Sequence, residues 1–403
     1  MDTSTPDSNA ACSVAAGPLD GVRVLDLSAY IAGPYACSLL ADQGADVIKV
    51  EPPDGDNLRQ YPSTLPSESR AFLGVNRSKR GIVLDLKRAA DHADLLKLVR
   101  DADVLVHNFR PGVPERLRIG HEQLNLINPR LVYCAITGYG ESGPLKDKAG
   151  YDQVLQTMTG MCTLQGKRDG APEIIYGSVV DYYAAALLAA GVSSALYERE
   201  RSGLGQFVGV SLLRSALTMQ SARMIWAEGE SLDIGRDMRS GGVTGIHPAR
   251  EGYIYISANT PRFWKALCAK TGLDALADEP RYDSVRKRAQ HFAEILPKLH
   301  EALATRSALE WEDLFGDEVP CAAARQIEDM FDHPQVQAQG IIDTFEHPVV
   351  GRYRGVAQSI RFGRTPGPAP FAAPALGQDT AAVIAAVEAG LPVATRPRSR
   401  RKG

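Results

Sequence analysis

In the stretch IIYGSVVDYYAAALLAAG a single carboxylate, Asp181, stands between the apolar residues Val179 and Val180 and an alanine-rich run that reads as a helix. A lone Asp at such a place reads first as an N-cap, its oxygens accepting hydrogen bonds from backbone N–H groups one turn on. The same placement supports a second role. The positive end of a helix favours an ionised carboxylate, and an ionised carboxylate is a competent nucleophile toward a thioester. Position alone leaves both roles open, and one residue is able to fill them together.

Cationic residues narrow the chemistry. The segments NRSKRGIVLDLK and HNFRPGVPERL set Arg77, Lys79, Arg80, Lys87, Arg110 and Arg116 beside predicted strands, in a chain that also carries a Gly-Pro turn at Gly33 and Pro34. Guanidinium and ammonium groups at strand ends suit a phosphate-rich ligand, although any one of them taken singly reads as surface charge. His107, just before Asn108 and Phe109, reads as a structural histidine at a strand end rather than a base. No H-x-x-H or H-E-x-x-H spacing supports a metal site, and neither Ser28 nor Ser178 sits in the G-x-S-x-G elbow of a hydrolase.

The elements that must hold these groups follow from periodicity. RVLDL, DVIKV, GIVLDL, DVLVHN and RLVYCAI are short β-branched runs, and between them YACSLLADQG and AADHADLLKLVRDA space apolar residues three and four apart. That alternation predicts an α/β fold in which helices cover a parallel, Rossmann-like sheet, with ligands beyond the carboxyl ends of its strands. The turn after the first strand, LSAYIAGPYA, has one glycine where a dinucleotide loop wants three, which argues against an NAD enzyme. After Asp181 the helix is expected to run to a C-cap at Gly203, and QFVGVSLLRSALTMQ to form a further strand and helix. Residues 225–325 read as a small α+β domain with Trp264 and Trp311 on its helices, and GIIDTFEHPVVGRYRGVAQSIRFG as antiparallel strands. LGQDTAAVIAAVEAGL reads as a helix capped by Asp379 or Thr380.

Composition sets the outer bounds. A chain of 403 residues, 44% hydrophobic, is long enough to bury a large core, and a net charge of −3 gives no global field toward nucleic acid or membrane. The six cysteines, at 12, 37, 134, 162, 268 and 321, show no C-x-x-C pair, which fits a reduced, cytoplasmic compartment. The first 17 residues lack the features of a signal peptide and read as a disordered leader. Residues 391–403 read as a tail whose basic charge is solvated, and no run of about 18 apolar residues suggests a membrane span.

Along nearly the whole chain, about residues 17 to 390, the sequence resembles the family III CoA transferases, a group related to the 2-methylacyl-CoA racemases. The marks are LDGVRVLDLSAYIAGP, LLADQGADVIKVEPP, NRSKRGIVLDLK, NFRPGVPERL, GYGESGP, AGYDQVLQTMTGM, GSVVDYYAA, SGLGQFVGVSLL and LGQDT, in the family's order. The resemblance implies that Asp181 is the nucleophile, forming first an aspartyl anhydride and then an aspartyl-CoA thioester while CoA passes from an acyl-CoA to an acceptor acid. It implies CoA contacts from Ile31, Ala32, Leu84, Lys87, Asn108, Phe109, Arg110, Arg116 and Tyr151, and a glycine loop at Gly241 and Gly242. CoA enters as part of the substrate, with no permanently bound cofactor and no metal.

Two departures bear on the acid. Oxalate-using members carry Gln where this chain has Ile31 and Arg where it has Pro52, so a larger or more apolar acid than oxalate or formate is expected. Racemases place His where Tyr151 stands, and a phenol is a poor base near neutral pH. Transfer is therefore the leading expectation, with racemisation or non-catalytic acyl-CoA binding as alternatives. The resemblance also implies an interlocked homodimer, with residues 18–224 and 326–390 forming the large domain.

Overall fold

The computed structural model describes residues 17–165, 171–230 and 243–395. The chain divides into two compact units, one built from the residues up to Ile225 and those from Gln337 onward, the other from Trp226–Val336. The sequence reading placed the return at 326; the second unit extends to Val336.

The first unit contains a six-stranded parallel sheet: β1 (Arg23–Asp26), β2 (Asp46–Glu51), β3 (Lys79–Val83), β4 (Val104–His107), β5 (Val132–Thr137) and β6 (Phe207–Ser211). Their spatial order is β3-β2-β1-β4-β5-β6. Strands covered on both faces read as near-continuous apolar runs, and here alternate residues feed two separate cores. On one face Val24, Val47, Val104 and Cys134 meet Leu40 of helix α1 (Ala32–Asp42) and Leu188 and Val192 of the long helix that carries Asp181. On the other, Leu25, Ile48, Ile82 and Leu105 meet Leu95 and Leu98 of helix α2 (Ala89–Arg100) and Val383 and Val387 of the C-terminal helix Thr380–Glu388.

The returning segment protects an edge strand. Asp379 Oδ2 accepts from the Gly81 N–H at 2.9 Å, Thr380 Oγ1 accepts from the Val83 N–H at 3.0 Å, and the Asp379 N–H donates to Gly81 O at 2.8 Å. Bare β3 would otherwise offer its backbone to another chain. Asp379 is at the N-cap position of the last helix, but its carboxylate serves the sheet and makes no side-chain cap. Residues 342–356 form one antiparallel hairpin, Ile342–His347 with Gly351–Val356.

That second unit holds a three-stranded antiparallel sheet of β7 (Gly245–Pro248), β8 (Tyr253–Ile256) and β9 (Cys321–Ala323). Helices pack Trp264, Leu299, Trp311 and Phe315 against Ile254 and Ile256. Each buried indole N–H finds a carbonyl, Trp264 at Leu276 and Trp311 at Leu303, which satisfies the polar end of a large apolar ring. Gly241 and Gly242 lie outside the described residues.

Candidate active site

The strand order creates the site. From β1 the chain winds outward through β2 and β3, then crosses back to β4, so the connections after β1 and β4 leave in opposite directions and open a crevice at the strand ends. Asn108 ties the two loops together: its Oδ1 accepts from the Ala29 N–H at 2.9 Å, and its Nδ2 donates to Ala29 O at 2.7 Å. Gly33 lets α1 begin against the strand end, since a Cβ there would lie 2.3 Å from the Ser28 side chain. Gly138 and Gly150 permit a backbone crossing that brings the Tyr151 segment alongside, as a Cβ on Gly138 would be 2.8 Å from Gly150 Cα.

Beneath the loops runs a layer of buried charge. Lys79 Nζ meets Asp26 at 2.8 Å and Lys49 Nζ meets Asp56 at 3.0 Å, all four side chains being sealed from solvent. Burial works against ionising Asp26, but the Lys79 and Lys49 charges outweigh it and hold that carboxyl below its ordinary range. Lys49 also donates to Ser28 O, while Asp56 accepts from the Tyr30 and Leu58 N–H groups. Arg77 pairs with Asp42 and Arg80 with Asp46. The phosphate-binding role raised for Arg77, Lys79 and Arg80 is thus corrected: each is buried and spends its charge on an internal carboxylate.

Asp181 lies in the first turn of α4 (Val179–Ser202), which follows the short helix α3 (Asp152–Met158). It is not the cap that its position suggested. Ser178 occupies the N-cap position, and the capping carboxylate comes from another helix: Asp152 Oδ2 accepts from the N–H groups of Val180 at 2.6 Å and Asp181 at 3.0 Å. The Asp181 carboxylate itself has no hydrogen-bond partner among the described residues. Burial, and then the charge of Asp152, raises its pKa to about 7. The helix end favours negative charge there, but Asp152 has taken its N–H groups.

A cavity of about 290 Å³ opens onto Asp181, walled by Ile31, Ala32, Asn108, Phe109, Arg110 and Tyr151. Tyr30, Thr137, Lys146 and Lys148 add to its polar lining. Arg110, Lys146 and Lys148 are exposed and have no ion-pair partner among the described residues. A second cavity, about 470 Å³, lies over the ends of β2 and β3 with Leu84, Lys87 and Pro52 in its wall, and shares Tyr30, Asn108 and Phe109 with the first. Arg116, exposed on the turn Val113–Arg116, lines neither. His107 is buried, stacked on Phe109, and accepts the Phe109 N–H; burial lowers its pKa to about 4, so it stays neutral and faces a different cavity from Asp181.

Residues 19–380 match CoA-transferase family III. The chain belongs to that family. This transferase is 36% identical to the acetyl-CoA:oxalate CoA-transferase of Acetobacter aceti, over 81% of this chain and 85% of the relative. It is 32% identical to the succinate–glutarate CoA-transferase of Agrobacterium fabrum (strain C58 / ATCC 33970), over 92% and 96% respectively. Its fold is similar to that of a CAIB/BAIF family protein from Brucella suis, with a TM-score of 0.81 and 29% identity, covering 92% of this chain and all of that one.

Sequence reasoning passed over Asp152, Tyr30, Lys146 and Lys148 in the transferase. Asp152 had a local signal, a carboxylate directly after Tyr151. Its partners stand 28 and 29 residues further on, a pairing that only the fold reveals. Tyr30 had none, because its importance lies in a backbone angle: φ is +64°, the left-handed region that costs a bulky residue about 1–3 kcal/mol.

Proposed function

We propose that this transferase moves CoA from an acyl-CoA to a carboxylic acid through Asp181. The observation that carries the reading is the half-buried Asp181 carboxylate, which lines a cavity together with Arg110, Lys146 and Lys148 and has no hydrogen-bond partner among the described residues. In its ionised form an Asp181 oxygen attacks the thioester carbonyl; the C–S bond breaks, leaving an aspartyl anhydride and CoA thiolate. The thiolate attacks the Asp181 carbonyl carbon, the donor acid leaves as carboxylate, and a β-aspartyl-CoA thioester remains. An acceptor carboxylate then repeats the two exchanges in reverse order and departs as its CoA ester. Covalent intermediates divide one difficult exchange into easier ones.

CoA in this reading lays its nucleotide in the cavity beside Leu84 and Lys87 and passes its pantetheine between Asn108 and Phe109 toward Asp181. Arg110, Lys146 and Lys148 supply positive charge for phosphates or an acid. The Agrobacterium fabrum relative is named for succinate and glutarate and others for citramalate and mesaconate, all longer than oxalate. With Ile31 as an apolar wall, the reading favours succinyl-CoA as donor and such a longer acid as acceptor, although the Acetobacter aceti relative uses oxalate. The glycine loop at Gly241 and Gly242 remains part of the proposal on sequence grounds.

A homodimer, interlocked as in the family resemblance, is part of the same reading. Helix α4 is long and apolar enough by length and composition to cross a membrane, which the search for apolar runs in the sequence did not find. It packs on α1 in the sheet core but leaves residues such as Tyr197 exposed, and a second copy is the cover we infer for them. Sedimentation at micromolar concentration gives a dimer if this is right and a monomer if not. Free cysteines at 37, 134, 162 and 268, all buried, support a cytoplasmic location. The test of transfer itself is incubation of succinyl-CoA with a panel of acids and chromatography of the CoA esters. New acyl-CoA species are expected, and none with any donor and acceptor pair contradicts the proposal.

A further inference from the structure

Tyr30 stands in the turn after β1 with φ +64°, a backbone region that glycine enters freely and a tyrosine resists. Doubly wound sheets commonly place glycine in this turn, because the chain bends close to its ligand there. Here the strained angle has to be held by neighbours. Three consecutive residues are gripped. Lys49 Nζ donates to Ser28 O at 2.9 Å, Asn108 holds both the N–H and the C=O of Ala29, and Asp56 Oδ1 accepts the Tyr30 N–H at 3.1 Å.

Two of these anchors are the halves of one ion pair. Lys49 Nζ meets Asp56 Oδ2 at 3.0 Å, so the pair brackets the turn, one half through Ser28 and the other through Tyr30. Burial works against the Lys49 charge, but Asp26, Asp56 and Glu51 outweigh it and hold its pKa above the ordinary range. Asp56 is itself fixed: its N–H donates to Glu51 Oε2 at 2.9 Å, and its Oδ1 also accepts the Leu58 N–H at 2.9 Å. The turn so held belongs to two cavity walls. Ser28, Ala29 and Tyr30 line the cavity beside Leu84 and Lys87, while Tyr30, Ile31 and Ala32 line the one that opens onto Asp181. A change of φ at Tyr30 would redirect the chain between them.

We propose that Asp56 is a positioning residue for the acyl-CoA: by holding the Tyr30 N–H it keeps the strained turn in the conformation that presents both cavity walls to the bound ester. This rests on the reading that CoA and its acyl group occupy these two cavities. Asp56 neither attacks nor transfers a proton. Without its grip the turn relaxes in part of the population, and the apparent affinity falls with the fraction left in the binding-competent form.

The test is calorimetric titration of the full-length protein with succinyl-CoA, arranged as double-mutant cycles. Asp56→Glu keeps a charge beside Lys49 but shifts the carboxylate by one methylene relative to the Tyr30 N–H. It is made in the wild type, in Tyr30→Ala, whose β-carbon keeps the strain, and in Tyr30→Gly, which relieves it. Asp56→Glu is expected to raise Kd roughly tenfold in the first two backgrounds and less than about twofold in Tyr30→Gly, whatever loss of the ring itself does. Asp56→Asn, which replaces a charge-assisted acceptor by a neutral one, should repeat the pattern at about threefold. Melting temperatures identify a variant that has not folded, and the other then decides. An equal loss in all three backgrounds would make Asp56 a support of the fold only and overturns the proposal, as do an unchanged Kd in the Tyr30 background and a wild type that does not bind succinyl-CoA. Turnover is followed in parallel. A wild type that gives the expected cycle but exchanges no CoA overturns the transfer reading alone, and exchange with an equal loss in every background overturns the role of Asp56 alone.

Discussion

Two groups of buried carboxylates in the large unit behave in opposite ways. Asp26, Asp42, Asp46, Glu51 and Asp56 each have a cation within 3.0 Å. Asp181 has no such partner among the described residues, and the charge that most affects it is another carboxylate, Asp152. The first arrangement holds the loops after β1 and β2 and leaves little charge to offer a ligand. The second stores an acid near its titration point and leaves its oxygens free. The buried acids that have their own cation are structural here, whereas Asp181, whose charged neighbour is another acid, keeps its oxygens free of hydrogen bonds among the described residues.

Substitutions in each region break the comparison differently. Asp181→Ala should remove CoA exchange, a fall of roughly 10⁴-fold or more in kcat, while the melting temperature stays level or rises. Retained exchange breaks the assignment. Lys79→Met should do the reverse, costing about 3–5 kcal/mol in urea unfolding by leaving Asp26 buried without its cation. A loss under about 1 kcal/mol would show that the pair does not hold the fold. Asp152→Asn sharpens the contrast through pH. As the proposed nucleophile Asp181 attacks in its ionised form, and its pKa is raised to about 7, so wild-type kcat should fall as pH drops through that value. With the Asp152 charge gone and an amide oxygen still accepting the two N–H groups, the acid limb should move to lower pH. An unmoved limb would mean that Asp152 does not tune Asp181. The smallest effect is expected at exposed Lys87, where Lys87→Ala should raise KM for the acyl-CoA about two- to fivefold with kcat unchanged, as measured by initial rates.

The sheet was legible because strands such as Val104–His107 are covered on both faces and read as short apolar runs. Their spatial order was not, since order depends on crossovers that leave no local mark. Asp181 stood out by position and by the surrounding motif. The residue that sets its state did not, because Asp152 acts across 29 residues. The same distance problem explains Arg77, Lys79 and Arg80. Each reads as a strand-end cation until the fold brings in an acid 34 to 53 residues away. Local sequence announces a charge but not its partner, and here the partner decides between structure and chemistry.

The most direct test is peptide mapping by mass spectrometry after the transferase has been incubated with succinyl-CoA and its intermediate trapped with hydroxylamine or borohydride. The account requires modification at Asp181 and at no other carboxylate, lost in Asp181→Ala. Exchange of CoA with no covalent change on the peptide that carries Asp181 would contradict it.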